Sequence, residues 1–324
     1  MLERDKFLRE LKKKRIAILK GGWSREREIS LKTGAAVENS FKRLGIKTLG
    51  IDIKRNISDV LSKKKINFCF LALHGPFGED GRIQSLLEIL DIPYTGTGAL
   101  ASAIAMDKNI SKQLFQQHSV PTAPWTVIKK SEMASSASSY TKAQNLFLEG
   151  PVFVKPVDQG SAIGVSRVDK YVDLKSALKT CFKVSSAALV ERFIPGRELT
   201  VGVLGKHILP VIEIIPQHAF YDFHSKYAKG GSRHITPADI SSSLTVRTQK
   251  IAAQAFNALG CDVYGRVDLI LTPQDELFVL EVNTIPGMTT TSLLPEAAKF
   301  EGLDFDELVI QIVELSLKKN AVKI

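Results

Sequence analysis

Arg266, Asp268, Glu281 and Asn283 combine residue types and spacing that could do chemistry. They lie in two β-rich runs, Gly265–Leu271 and Phe278–Asn283, joined by a segment carrying Pro-Gln-Asp-Glu that reads as a turn. Centring that turn on Gln274 and Asp275 pairs Arg266 with Asn283 and Asp268 with Glu281. The same register pairs Val267 with Val282, Leu269 with Leu280 and Leu271 with Phe278. Side chains alternate across a strand, so the polar pairs share one face of the ribbon and the apolar pairs the other. Two carboxylates and an amide oxygen form a hard-oxygen set, suited to Mg²⁺ rather than zinc. An ordinary solvated sheet face carries the same pattern, so the hairpin alone does not decide between them.

Further candidates are spread along the chain. A strand runs into Gly21-Gly22, with Ser24 as the expected cap of the next helix and Glu26 in its first turn. This junction either approaches a ligand closely or is a plain tight turn. His74-Gly75-Pro76-Phe77-Gly78-Glu79-Asp80-Gly81 follows a buried strand and precedes a helix, at the edge where parallel sheets place ligands. Lys155 stands at a strand end before Gly160, Ser161 and Gly164; a point charge and a loop of N–H donors suit phosphate oxygens, and an ordinary hairpin has the same residues. Glu191 and Glu198 flank the Pro195-Gly196 turn, where an exposed rim is the alternative. Tyr221 to Tyr227 brings aromatics and Lys226 into a long loop, 217–239, which reads as a lid. Gly96-Thr97-Gly98 matches the loose dinucleotide fingerprint but is far from the first strand–helix turn, and it is rejected.

The elements that must position these residues alternate. Helix is expected over 2–14, from Ser24 to about Leu44, and over 81–90; strands are expected at 16–19, 48–53, 68–73 and Ile92–Tyr94. Such alternation predicts a parallel sheet with helices on both faces, ending near Ala105. Beyond it come a helix over 106–118, an extended connector over 120–125, and a serine-rich loop over 131–140 leading into a poor helix. Strands follow at 151–156, 163–168, 187–193, 198–204 and 208–215, with helices over 173–182, 244–259 and 304–318. Three domains are expected: 1–105, 106–195 and 196–324.

The chain has 324 residues, 44% of them hydrophobic and 24% charged, the balance of a soluble globular protein. Met1 to Arg15 is too charged for a signal peptide, and no apolar run reaches the ~20 residues of a membrane helix. Cys69, Cys181 and Cys261 lie apart in apolar contexts, which predicts buried thiols in the cytoplasm. There is no CxxC, HExxH or Walker A pattern. The formal charge of +10 invites a nucleic-acid partner, but the basic residues are spread and an anionic small substrate uses them equally well.

Taken together, Gly21 to Ser30, His74 to Gly81, Met106-Asp107-Lys108, Lys155 to Gly164, Glu191 to Glu198, Tyr221 to Tyr227, Gly265 to Asp268 and Glu281 to Met288 resemble the D-alanine–D-alanine ligase family of the ATP-grasp superfamily. The resemblance runs over nearly the whole chain in order. It implies an α/β N-terminal domain and two antiparallel-sheet domains that clasp ATP. It further implies that Lys108 and Lys155 meet the nucleotide, Glu191 and the Ile194 backbone the adenine, Glu198 the ribose, and Lys226 the γ-phosphate. Asp268, Glu281 and Asn283 would hold two Mg²⁺ ions, with Mn²⁺ as a substitute. Glu26 would bind the first D-alanine's ammonium, supported by a Ser161–Tyr227 link, with His74 nearby; Arg266 and the Gly287 N–H would face the reacting carbonyl, and Ser292 with Leu293 the second carboxylate. Also implied are a cytoplasmic homodimer and no membrane or nucleic-acid partner. Two departures stand out: Ala162 occupies the place of a second cradle serine, and Trp23 replaces a small residue near Glu26. Rival readings are an ATP-grasp ligase using D-lactate or another acid–amine pair, and a nucleotide- or nucleic-acid-binding regulator without activity.

Overall fold

The computed structural model describes residues 2–133, 138–216 and 231–321. Lys226 and Tyr227 therefore lie outside the described residues.

The chain begins with α1 (Leu2–Lys12), β1 (Ile16–Lys20), α2 (Arg27–Arg43), β2 (Thr48–Asp52), α3 (Ile57–Lys63), β3 (Phe68–Leu71) and α4 (Arg82–Ile89). The strands form a parallel sheet in the order β2-β1-β3; β1 and β3 are short buried apolar runs, β2 is a more polar edge, and a helix follows each. Ile57 and Leu61 of α3, with Ile83 and Leu87 of α4, cover one face, against Ala17, Leu19 and Leu71. Val37 and Phe41 of α2 cover the other, joined by Leu308, Ile312 and Val313 from near the chain's end. Helices do lie on both faces, but one layer is completed by residues more than two hundred positions away.

Next come α5 (Ala99–Met106), α6 (Lys108–Gln117), β4 (Trp125–Lys129), α7 (Ser138–Phe147), β5 (Val152–Pro156), β6 (Ser166–Val168), α8 (Leu174–Cys181) and β7 (Ala187–Arg192). These strands form an antiparallel sheet, β4-β7-β5-β6. The last part holds β8 (Arg197–Leu204), β9 (His207–Pro216), β10 (Ser232–Ile235), α9 (Ser242–Ala258), β11 (Tyr264–Leu271), β12 (Leu277–Asn283), α10 (Leu293–Phe300) and α11 (Phe305–Ala321), with an antiparallel sheet β10-β9-β8-β11-β12. All three cysteines are buried free thiols. Among the described residues no helix is long and apolar enough to cross a membrane.

Several local expectations need correction. Ile92–Tyr94 forms only a parallel bridge between Tyr94 and Cys69. Helix α2 starts at Arg27, because the Ser24 hydroxyl donates to the His74 carbonyl (2.7 Å) and accepts from the Glu26 N–H (3.2 Å) instead of capping the helix. The helix expected over 106–118 is preceded by another, and Asp107 separates them by accepting from the Asn109 and Ile110 N–H groups (2.9 and 3.0 Å). The strand expected from 163 begins at Ser166, and part of the 217–239 stretch forms β10. Helices α3 and α10 were not anticipated; both are short, and their buried faces are set by long-range packing.

The β11–β12 hairpin keeps the expected register for Arg266↔Asn283, Val267↔Val282 and Asp268↔Glu281, and then departs from it. Leu269 pairs with Val279, Ile270 with Phe278 and Leu271 with Leu277. The reason is the turn: the Thr272 carbonyl accepts from Asp275 N–H, the Thr272 N–H donates to the Glu276 carbonyl, and Asp275 takes a left-handed φ of 62°. That closure is one residue tighter than a turn centred on Gln274 and Asp275, and a bulge at Leu280 absorbs the extra residue. Consequently Val279 is buried in the core, while Leu280 and Ile270 face the same cavity as Glu281.

Candidate active site

Two cavities of about 950 and 480 Å³ share Lys108, Gly160, Ser161, Glu198, Ile214, Asp268 and Glu281 on their walls, so they form one continuous cleft. The larger is lined by Glu26, His74, Lys108, Ser161, Glu198, Arg266, Asp268, Glu281, Asn283, Gly287, Ser292 and Leu293. Lys155, Glu191 and Ile194 line the smaller. Every candidate within the described residues therefore reaches the cleft.

At its inner corner, Glu26 sits at the N-terminal edge of α2 and is only 5% exposed. Its carboxylate accepts a hydrogen bond from Ser161 Oγ, tying the parallel-sheet region to the loop between β5 and β6. That loop holds Ser161 and Ala162 at left-handed φ values of 51° and 55°, a conformation non-glycine residues rarely adopt. Gly75 passes so close that a Cβ there would lie 2.5 Å from Glu26 Oε2, at a φ of +72°. Glycine is required on both counts. Buried His74 has Nε2 3.0 Å from Thr33 Oγ1, which accepts from the Met288 N–H (3.4 Å) next to Gly287. Trp23, 52% exposed, rests against Phe77 with ring centroids 4.6 Å apart. Its bulk stays at the rim.

The hairpin forms the floor. Arg266 donates two hydrogen bonds of 2.8 Å to the two oxygens of Asp268, a fork geometry within one strand face. Asp268, 4% exposed, also accepts from Thr200 Oγ1 on β8 (2.6 Å), directly opposite it in the sheet. Glu281 Oε2 lies 3.1 Å from Lys108 Nζ, which also donates to the Gln159 carbonyl (2.8 Å). Asn283 Oδ1 accepts from Ile285 N–H (3.0 Å). Among the described residues there is no cluster of three or more His, Cys, Asp or Glu able to hold a metal. One or two carboxylates, with substrate phosphates and water completing the shell, is how Mg²⁺ is ordinarily bound. Donor chemistry at Asp268, Glu281 and Asn283 fits that ion.

The far end is a buried charge cluster. Glu191, 2% exposed, is far from the exposed rim that its turn suggested. Burial by itself would raise its pKa, but Lys112 and Lys155 together hold it down at about 2. Lys155 Nζ bonds one oxygen, and Lys112 Nζ lies 2.6 Å from the other. Sequence reasoning missed Lys112, although its position four residues after Lys108 on one helix face was a usable signal. It missed Thr200 as well, for which no local signal exists. Ser292 precedes α10, and its Oγ accepts from the Thr289 N–H (3.0 Å).

The family model for the D-ala D-ala ligase C-terminus matches residues 114–314, and that for the N-terminus matches residues 54–97. The chain belongs to the D-alanine–D-alanine ligase family. Within that family it is 45% identical over 304 residues to a D-alanine–D-alanine ligase of Trichlorobacter lovleyi, covering 94% of this chain and 95% of that one. A relative from Citrifermentans bemidjiense is 44% identical over 310 residues, covering 96% and 98%. The fold of this chain is similar to that of a solved Bacillus anthracis D-alanine–D-alanine ligase complexed with ATP, at a TM-score of 0.83 and 32% identity, covering 96% of this chain and 99% of that one. The ATP-grasp fold expected from the motifs is therefore the fold of this ligase-family chain.

Proposed function

We propose that the chain joins two D-alanines into D-alanyl-D-alanine at the expense of ATP, releasing ADP and phosphate, as a step in peptidoglycan precursor synthesis. Membership of the ligase family supports the reaction, and one observation carries its assignment to this cleft: Ser161 bridges to Glu26 from a separate sheet, within the cavity that holds Arg266, Asp268 and Gly287.

The first D-alanine would sit with its ammonium on Glu26, near His74. Its carboxylate is a poor electrophile and must be activated. A carboxylate oxygen attacks the γ-phosphorus of ATP, the bond to the β-phosphate oxygen breaks, and ADP leaves behind an acyl phosphate. Two Mg²⁺ ions at Asp268, Glu281 and Asn283 would supply charge neutralisation on the phosphates. This chain's own part is positioning and electrostatics, with no protein nucleophile. Lys108 and Lys155 hold the nucleotide, Glu191 and the Ile194 backbone the adenine edge, and Glu198 the ribose; Leu280 and Ile270 supply an apolar wall. The second D-alanine, with its carboxylate at Ser292 and Leu293, attacks the acyl carbon through its amine. Arg266 and the Gly287 N–H stabilise the oxyanion, and phosphate departs as the amide forms. Lys226 and Tyr227 of the lid would complete the phosphate end and the Glu26–Ser161 link. The three-domain division at 105/106 and 195/196, a cytoplasmic location and a homodimer belong to the same reading.

Phosphate release from Mg-ATP, measured with D-alanine, L-alanine and D-lactate singly and in pairs, tests the reaction. Release with D-alanine alone is expected; its absence overturns the reading, and release only when D-lactate is present shifts it to the depsipeptide-forming ligase.

A further inference from the structure

Lys112 is a charged side chain that the reaction scheme does not use, yet it is only 1% exposed. Its ammonium is fully engaged. Nζ lies 2.6 Å from Glu191 Oε1 and 2.5 Å from Thr122 Oγ1, and it sits 5.2 Å from the centre of the Trp125 ring. Each partner is fixed in turn: Thr122 Oγ1 donates to the Val279 carbonyl (2.9 Å) on β12, and Trp125 Nε1 donates to Asn109 Oδ1 (3.0 Å) on α6. Burying an ammonium this deeply is costly unless it is paired and hydrogen-bonded. Burial pushes its pKa down while Glu191 opposes the shift.

The charge balance indicates what the pair does. Glu191 has one oxygen on Lys112 and the other on Lys155. Of the two lysines only Lys155 lines the cleft; Lys112 reaches Glu191 from α6, on the same face of the sheet, and lines neither cavity. With both lysines the cluster keeps one net positive charge, and it is presented at the wall where the nucleotide binds. With Lys112 gone, Glu191 and Lys155 would neutralise each other, and the carboxylate would draw the Lys155 ammonium wholly to itself.

We propose that Lys112 is a positioning residue for ATP: it takes up one oxygen of Glu191 so that Lys155 keeps its charge and a free donor for the nucleotide. The inference rests on the nucleotide reading of this cleft, and it concerns a residue that never touches ATP. Its specificity is for an anionic nucleotide and not for the amino-acid substrates, which bind at the other end.

The test compares full-length wild type with Lys112→Met and Lys112→Arg, measuring KM for ATP and for D-alanine, and ATP affinity by calorimetry. Lys112→Met is expected to weaken ATP binding about tenfold, the scale of one charge-assisted hydrogen bond, with the KM for D-alanine within about twofold. Lys112→Arg should restore ATP binding. A second cycle adds Glu191→Gln, after which Lys112→Met should produce no further loss, because the competing carboxylate is gone. Undiminished ATP affinity in Lys112→Met, or an undiminished additional loss in the Glu191→Gln background, overturns the proposal and leaves Lys112 a packing residue. Should Lys112→Met not fold, Lys112→Gln takes its place in both cycles with the same expected outcomes. Failure of the wild type itself to bind ATP would instead overturn the parent reading.

Discussion

Two buried carboxylates of the cleft, Asp268 where its two cavities meet and Glu191 in the smaller one, are held in different ways. Asp268 receives one guanidinium from its own strand, two residues away, plus a single hydroxyl from the neighbouring strand. Glu191 is gripped by two ammonium groups that arrive from α6 and β5, 79 and 36 residues distant in sequence. The Arg266–Asp268 fork is a local unit that one strand can build, and Thr200 joins it from β8, 68 residues away. The second arrangement exists only once a helix has packed against a sheet. The physical lesson is about redundancy: removing one partner leaves Asp268 with no charged neighbour in its strand, whereas Glu191 retains one.

The comparison can be broken most directly at Arg266. Arg266→Met is expected to lower turnover about 10²–10³-fold, as for loss of an oxyanion donor. Stability should fall by ~3–5 kcal/mol, because a buried charge loses its partner. Lys112→Met should destabilise less, since Lys155 remains on Glu191. Urea unfolding of both variants decides the matter, and equal losses would show that redundancy is not what separates the two ends.

A smaller effect is expected between these poles. Ser161→Ala removes the bond that joins Glu26 to the β5–β6 loop. The loss of one hydrogen bond to a charged group, ~1.5 kcal/mol, corresponds to about a tenfold rise in the KM for D-alanine. ATP affinity should hardly move. A parallel loss of ATP affinity would mean that the two ends are coupled through this loop.

Acid should act on one end alone. Glu191 has its pKa depressed from 4.5 to about 2 in the fold. A depressed carboxylate contributes stability that is present above its unfolded pKa and is lost as pH falls towards the folded value. Wild type should therefore lose stability between about pH 4.5 and 2 more steeply than Glu191→Gln, measured by thermal unfolding across that range. An identical slope in the two proteins would remove Glu191 from the set of acid-sensitive groups.

Much of this molecule could be read from local pattern. The apolar runs at Ile16 and Phe68, the glycine turns after them and the alternation in the β11–β12 hairpin each express a short-range rule, so strand, turn and shared face follow from neighbours in sequence. The pairing of Arg266, Asp268, Glu281 and Asn283 on one surface is of that kind, because a period of two needs only a strand and a turn. The bulge at Leu280 was not legible, since the exact closure at Thr272 to Glu276 depends on a left-handed Asp275 and on hydroxyl bonds that many sequences offer and few use. Lys112 beside Glu191, Thr200 beside Asp268 and Ser161 beside Glu26 were decided only in three dimensions. Each contact joins segments between 68 and 135 residues apart, and such a contact forms only when independent elements are packed together. Sequence by itself determined which chemical groups this chain could offer and which strand face would carry them. Tertiary structure decided which of those groups would be buried, and burial is what turned two ordinary lysines and a glutamate into a paired cluster with one positive charge to spare.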